Sequence, residues 1–212
     1  MKRLYRRLVL LAALGAAGCW PAAHAAADFA GAAASAPVRF VADWALDSGD
    51  HGGMPFIVVD KVGARVYLFD AAGRLQGAAP ALVGAARGDA SVPGIGERAL
   101  SSIRPDERTT PAGRFVARLD FSLQGEEILW VDYESAVALH PVSTGLPREQ
   151  RLQRLAGDKP SARRITYGCI NVAASFFAQV VAPAFRGRQG IVYVLPETRP
   201  AQDLFGPAAT GR

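Results

Sequence analysis

Hydrophobic and polar residues alternate in short runs over much of the chain, a pattern typical of half-buried β-strands rather than of long helices. Residues 64–70 form one such run, the apolar residues 56–60 before it are a further strand candidate, and the tight connection at residues 61–63 predicts that the two make a β-hairpin. A third strand is predicted over residues 75–83, after an Ala-Gly turn. This part of the chain is therefore expected to be β-structure.

The same alternation continues in the second half of the chain. Residues 114–121 predict one strand, residues 127–140 two more, and residues 190–195 a last, buried strand. His140 is then expected at the end of a strand. Residues 84–112 are rich in glycine, proline, serine and charge, which is typical of a long loop.

Two segments have helical character. Pro147 suits the first position of a helix and Gly157 its end, with two leucines three residues apart between them, which predicts a short amphipathic helix in a lid-like insertion. Residues 173–185 are apolar enough for a partly buried helix, and Pro183 is expected to end it. The predicted fold class is mainly β, a sandwich or barrel with a few short helices and the inserted segment.

The 212 residues have room for one domain of ordinary size, with a leader and short tails. Residues 26–54 are rich in alanine and lack a clear period, so an N-terminal arm is expected there. Residues 55–196 are interpreted as one folded domain and residues 197–212 as a C-terminal tail. The sequence shows no internal repeat and no sign of a second domain.

The first 25 residues have the features of a signal peptide. A basic flank precedes a short apolar run at residues 8–17, and Ala23-His24-Ala25 gives the small-x-small pattern of a cleavage site. The run is shorter than the roughly 20 residues that a membrane span needs. Export to the periplasm is therefore predicted. Acylation of Cys19 as a lipoprotein is the alternative, although alanine stands three positions before it, where leucine is usual.

Setting the leader aside changes the charge balance. The whole chain has 24 Lys and Arg against 19 Asp and Glu, and the leader holds four of the basic residues and none of the acidic ones. A nearly neutral remainder gives no support for a nucleic-acid partner, which would need a basic face. Cys169 also becomes the sole thiol, which excludes an intrachain disulfide. Its neighbours must explain why a thiol is kept in an oxidising compartment.

The segment from Thr166 to Asn171 is the candidate site. A nucleophilic thiol needs a turn that exposes its sulfur and backbone N–H groups that hold the oxyanion formed on attack. Gly168 permits the unusual backbone conformation of such a turn. The N–H groups of Gly168 and Cys169 are the candidate oxyanion donors. The competing interpretation of Cys169 is a small buried hydrophobic residue.

The thiol also needs a base, because free cysteine is mostly protonated at neutral pH. His140 ends an apolar strand, which would hold its ring on a rigid element. His51 lies in a glycine-rich segment and is interpreted as a flexible surface residue. One cysteine and two histidines at positions 51, 140 and 169 match no compact zinc motif, so no metal and no cofactor are expected.

The Thr-Tyr-Gly-Cys-Ile-Asn hexapeptide with an upstream histidine resembles the L,D-transpeptidase (YkuD-type) family. Residues 109–113 resemble that family's Thr-Pro-x-Gly segment, and the resemblance covers residues 55–195. It implies that Cys169 is acylated, that His140 is the general base, and that the Pro141 carbonyl orients the imidazole. It also implies attack on an L,D-peptide bond of a peptidoglycan stem peptide, release of a D-amino acid, and transfer of the acyl group to an amine or to water.

The same resemblance implies inhibition by carbapenem-type compounds, and a monomer is expected. Thr166 and Asn171 match the polar positions that flank the motif, where they would order the loop and contact substrate. Tyr167 departs from the pattern, since a second histidine usually stands there, and its hydroxyl can donate a hydrogen bond but cannot carry positive charge. The 29 positions from His140 to Cys169 are also more than is typical.

That longer interval contains the arginine-rich insertion. Arg163 and Arg164, the arginines nearest the motif, are the candidates for binding stem-peptide carboxylates, because arginine suits bidentate pairing. The alternative is a solvated helix face. Three functions remain open: an acyl-transfer enzyme acting as transpeptidase or as L,D-peptidase, a non-catalytic wall-binding module, and a structural exported protein with an inert cysteine.

Overall fold

The computed structural model describes residues 25–143 and 147–206 of the 212. The predicted leader, including Cys19, lies outside the described residues apart from its last residue. Ten β-strands are present in the described part: β1 (Phe56–Asp60), β2 (Arg65–Phe69), β3 (Leu75–Pro80), β4 (Val83–Gly84), β5 (Gly113–Phe121), β6 (Glu127–Asp132), β7 (Val137–Pro141), β8 (Arg164–Thr166), β9 (Ile170–Val172) and β10 (Gln189–Val194).

The helices are short and few. Those of the described chain are α1 (Ala36–Asp47), α2 (Arg151–Ala156), α3 (Ala174–Phe176), α4 (Ala182–Phe185) and α5 (Gln202–Phe205). A π-helical turn, Phe177–Val181, joins α3 to α4 into one continuous segment. None of these helices is long and apolar enough to cross a bilayer.

Eight of the strands form one sheet in the order β3-β2-β1-β10-β5-β6-β7-β9. The pairs β1–β10 and β7–β9 are parallel and the other neighbours are antiparallel. Leu82, just past β3, exchanges two backbone hydrogen bonds of 2.8 and 2.9 Å with Asn171 in β9. The two ends of the sheet are thereby brought together and the sheet nearly closes, which confirms the mainly β prediction.

Both faces of the sheet carry a hydrophobic core. The inner face packs around the α3–α4 segment, which contributes Phe177, Val181 and Phe185. The outer face of β1, β2 and β10 is covered by α1 and by Phe205 of α5. All five residues of β1 are buried as a result, which explains why that strand is an apolar run without polar alternation.

The interpretation of residues 26–54 as an arm is wrong where α1 forms. Its buried residues, Val38, Val41, Ala42 and Ala45, follow the i, i+3, i+4, i+7 spacing of an amphipathic helix. Phe40, Trp44 and Leu46 extend the apolar surface beyond this stripe and hide the period in the sequence. The interpretation of residues 197–212 as a tail also fails for residues 197–206, since Phe205 is 1% exposed.

Two smaller expectations are corrected and a third gains detail. The third strand ends at Pro80, and β4 follows as a separate element. The helical segment continues past Pro183 to Phe185, and Pro183 lies in the first turn of α4, directly after the π-helical turn. The loop predicted over residues 84–112 contains three short 3-10 turns. The other predicted strands are confirmed to within a few residues.

Candidate active site

The register of β7 and β9 places the predicted catalytic residues on neighbouring parts of the sheet, with His140 in β7 and Cys169 directly before β9. Leu139 lies opposite Ile170, and His140 lies opposite Asn171. Leu139 and Ile170 belong to the inner core, and since alternate residues of a strand face opposite sides, His140 and Asn171 lie on the outer face. Cys169 directly precedes Ile170 and shares that outer face. The thiol and the imidazole therefore lie on the same face of neighbouring strands.

The His140 ring is held by two hydrogen bonds that determine its tautomer. Nδ1 lies 2.9 Å from the carbonyl oxygen of Pro141, and a carbonyl only accepts, so Nδ1 carries the hydrogen. Nε2 lies 2.8 Å from Asn171 Nδ2 and accepts from that amide. Burial lowers the pKa of His140, and the Pro141 carbonyl only partly offsets this. The imidazole is therefore neutral, as a general base must be.

The Cys169 side chain is half-buried, and its Sγ lies 3.8 Å from the carbonyl oxygen of Ala136, one residue before β7. Burial raises the pKa of the thiol, while a backbone contact with Ala138 and the positive charge of Arg151 act in the opposite direction. The resting site thus holds a neutral thiol beside a neutral imidazole.

The backbone conformation at Gly168 requires glycine. Its φ is +144°, and a Cβ there would lie 2.8 Å from the carbonyl oxygen of Thr109. Thr110 Oγ1 donates to the Gly168 carbonyl at 2.8 Å. Because C=O and N–H point in opposite directions across a trans peptide, this bond directs the Cys169 N–H away from Thr110.

Thr166 orders the same turn. Its Oγ1 accepts from the Gly168 N–H at 3.2 Å and donates to the Cys169 carbonyl at 2.6 Å. The Gly168 amide is therefore already engaged, which weakens its candidacy as an oxyanion donor and leaves the Cys169 amide as the stronger one. Thr166 itself is 3% exposed, so it acts on the turn rather than on a substrate.

A small cleft of about 90 Å³ opens above Cys169. The long loop contributes Ser91, Ile95 and Ile103 to its walls, and Tyr167 lines it beside the cysteine. The Arg108 guanidinium lies 4.0 Å from the centre of the Tyr167 ring. The motif position that lacks a histidine here is therefore accompanied by a permanent positive charge.

The structure does not bring Arg163 and Arg164 to this cleft. Arg163 is 5% exposed and donates to the backbone carbonyls of Arg154, Gly157 and Ala64. Arg164 makes a two-pronged ion pair of 2.8 and 3.0 Å with Glu197. Both guanidinium groups hold the fold together, which corrects their assignment to carboxylate binding.

The interpretation of His51 as a flexible surface residue is also wrong. Its ring is 7% exposed and lies within hydrogen-bond distance of the carbonyls of Ala45 and Ala71. Those contacts connect α1 to the turn after β2. Among residues 25–143 and 147–206, no cluster of His, Cys, Asp or Glu is suited to a metal ion.

Sequence reasoning missed three residues that shape the site. Thr110 was visible only as part of a family-like segment, and Arg108 carried no signal at all. Arg151 belongs to the insertion for which a solvated face was the alternative, yet its side chain is 15% exposed and donates to Asn171 at 3.0 Å. Each acts through a partner at least 20 positions away, which a local pattern cannot show.

Comparisons with known proteins give the following result. No family model and no curated protein matches the chain. The NMR structure of the catalytic domain of an E. faecium L,D-transpeptidase is 16% identical, with a TM-score of 0.40 over 66% of this chain and 96% of that one. A crystal structure of an L,D-transpeptidase from Xylanimonas cellulosilytica DSM 15894 is 13% identical, with a TM-score of 0.41 over 66% of this chain and 60% of that one. Similarities this low leave function to be argued from the residues of the site.

Proposed function

We propose that the protein is an exported peptidoglycan L,D-transpeptidase, in which Cys169 is the nucleophile and His140 the general base. The observation that carries the proposal is the β7–β9 register, which places an unpaired thiol and a neutral imidazole on one face of adjacent strands. The resemblance of the Thr166–Asn171 segment to the family motif supplies the substrate class. The periplasm is the proposed location, on the strength of the leader sequence.

The first half of the reaction forms a thioester. The Cys169 proton passes to His140 Nε2, and the sulfur attacks the carbonyl carbon of an L,D-peptide bond in a stem peptide. The Cys169 N–H is directed away from Thr110 and is the proposed donor to the developing oxyanion. When the intermediate collapses, the imidazolium returns its proton to the leaving amine, and a D-amino acid departs.

The second half transfers the acyl group. An acceptor amine attacks the thioester carbon, His140 removes the amine's proton, and the thiol is restored with a new amide bond. Because the Asn171 amide occupies the Nε2 lone pair at rest, it must give way to the proton being transferred in each half. Water in place of the amine would make the protein an L,D-peptidase, the alternative enzymatic outcome.

Substrate carboxylates need a cation other than Arg163 or Arg164. Arg108 lies against Tyr167, which lines the cleft, and it is the proposed replacement. Its other contacts are to the backbone carbonyl of Ile103, so it is not consumed by an ion pair of the kind that holds Arg164.

The proposal is tested by the intact mass of the purified protein after exposure to a carbapenem. We expect a single adduct, which Cys169→Ala abolishes while circular dichroism shows the fold retained. His51→Gln is the matched control, because His51 is a buried histidine remote from the cleft, and its adduct should form normally. A wall-binding module would sediment with sacculi without forming any adduct, and that result would end the proposal. Product analysis on muropeptides then separates transfer from hydrolysis.

A further inference from the structure

The inserted segment between β7 and β8 reaches the proposed base through one arginine. Arg151, the first residue of α2, donates from Nη1 to Asn171 Oδ1 at 3.0 Å and from Nε to Glu149 Oε2 at 2.5 Å. Arg148, three positions earlier in the same segment, is exposed. Arg151 is thus part of the site, whereas its neighbour faces solvent.

This contact fixes the orientation of the Asn171 amide. A guanidinium group only donates hydrogen bonds, so the amide atom that faces it is Oδ1, and the NH₂ group must face His140. An N–H donor can bind Nε2 only while Nε2 keeps its lone pair. A protonated imidazole would place two donors against each other. The arrangement therefore favours the neutral ring.

We propose that Arg151 is a positioning residue that, through Asn171, holds His140 as a neutral imidazole with its hydrogen on Nδ1. The inference rests on the proposed function only for the role of His140 as base. The inserted segment would then be a functional part of the site, since it sets the protonation state of a residue on another element.

The charged groups around the imidazole act in opposite directions. The positive charge of Arg151 disfavours protonation of His140, whereas Glu126, in the turn between β5 and β6, and the Pro141 carbonyl both favour it. Without Arg151, the Asn171 amide can turn its oxygen to a protonated Nε2, and Glu126 is no longer opposed by a nearby cation. Loss of the arginine should therefore raise the pKa of His140.

The experiment is an NMR titration of the imidazole in the full chain, with the His140 signals identified through their loss in His140→Gln. Arg151→Met is compared with Arg148→Met, which removes the same charge from an exposed position of the same segment. We expect the pKa of His140 to rise in Arg151→Met and to stay unchanged in Arg148→Met. Arg151→Lys should restore it only in part, because an ammonium keeps the charge but not the planar fork.

A second readout is the pH profile of Cys169 alkylation. Well below the pKa of His140, each unit by which it rises lowers the fraction of free base about tenfold, so the acid limb should move to higher pH in Arg151→Met and not in Arg148→Met. Because the Arg151 charge also lowers the pKa of the Cys169 thiol, the NMR titration is the measurement that assigns the shift to His140. An unchanged His140 titration in a folded Arg151→Met protein would overturn the inference, as would an equal shift in Arg148→Met or full restoration by lysine. None of these outcomes bears on the carbapenem adduct, so the proposed function and this inference fail separately.

Discussion

Two polar clusters lie on either side of Thr110, and they are built in opposite ways. In the first, the fully buried Lys61 ammonium is bonded to the Gly88 and Thr110 carbonyls and to Asp89 at distances of 2.6 to 3.0 Å. Asp89 in turn accepts from Thr198. Every charge of this cluster has an opposite charge or a dipole against it, as buried charges require.

The second cluster is the candidate site, and it holds neutral groups with few partners. The thiol has a long contact with the Ala136 carbonyl and a contact with the Ala138 backbone, and the imidazole shares its lone pair with an amide that can be displaced. Thr110 joins the two clusters, because its carbonyl accepts from Lys61 and its hydroxyl donates to Gly168. The Lys61 cluster, in which every charge has a partner, thus holds the turn that carries Cys169.

The largest expected effect comes from a substitution in the Lys61 cluster. Lys61→Met leaves the Asp89 carboxylate without its cation in a buried setting, and loss of one partner from a buried pair costs about 3–5 kcal/mol. We expect urea unfolding to show a loss of this size. Arg74→Met, which removes an exposed ion pair with Asp70, should change stability by less than about 1 kcal/mol. Equal losses in the two variants would show that the buried Lys61 network contributes no more to stability than an exposed ion pair.

The next largest effect comes from a substitution in the candidate site that should leave the fold intact. His140→Gln removes the proton acceptor, and the rate of carbapenem acylation should fall by about a hundredfold or more. In the parent protein, the lowered pKa of His140 should keep the rate high as the pH falls below the usual range of histidine. Stopped-flow acylation from pH 5 to 8 checks both points. A rate in His140→Gln equal to that of the parent would remove His140 from the mechanism.

A smaller effect tests the connection between the two clusters, which runs from Thr110 to Gly168. Gly168→Ala forces a side chain into a positive-φ conformation and towards the Thr109 carbonyl, at a cost of roughly 1–3 kcal/mol. The turn should shift and acylation should slow. Gly94→Ala is the matched control, because Gly94 also has a positive φ but has no atom near its added Cβ. If both variants acylate at the same rate, close packing at Gly168 does not matter for reactivity.

Local sequence patterns were sufficient to predict most strands. Alternation reveals a strand wherever one face is polar, and the position of His140 near a strand end could be predicted in this way. Helix α1 is not evident from the sequence because Phe40, Trp44 and Leu46 extend its apolar surface beyond the buried stripe. The role of Arg164 could not be predicted, because its partner Glu197 comes from a part of the chain that only the tertiary fold brings near. Arg163 donates to backbone carbonyls, including those of Arg154 and Gly157, and such acceptors leave no mark in the side-chain sequence.

The two backbone bonds between Leu82 and Asn171 have a consequence for how a peptide can approach. Both the N–H and the C=O of Asn171 that point away from β7 are already paired, so an extended chain cannot add itself as a further strand at that position, as peptides do on open sheet edges. Under the proposed function, a stem peptide would approach from the outer surface and be recognised through its side chains and carboxylates. Selectivity would then depend on residues of the long loop that line the cleft, such as Ile95 and Ile103, and not on backbone pairing.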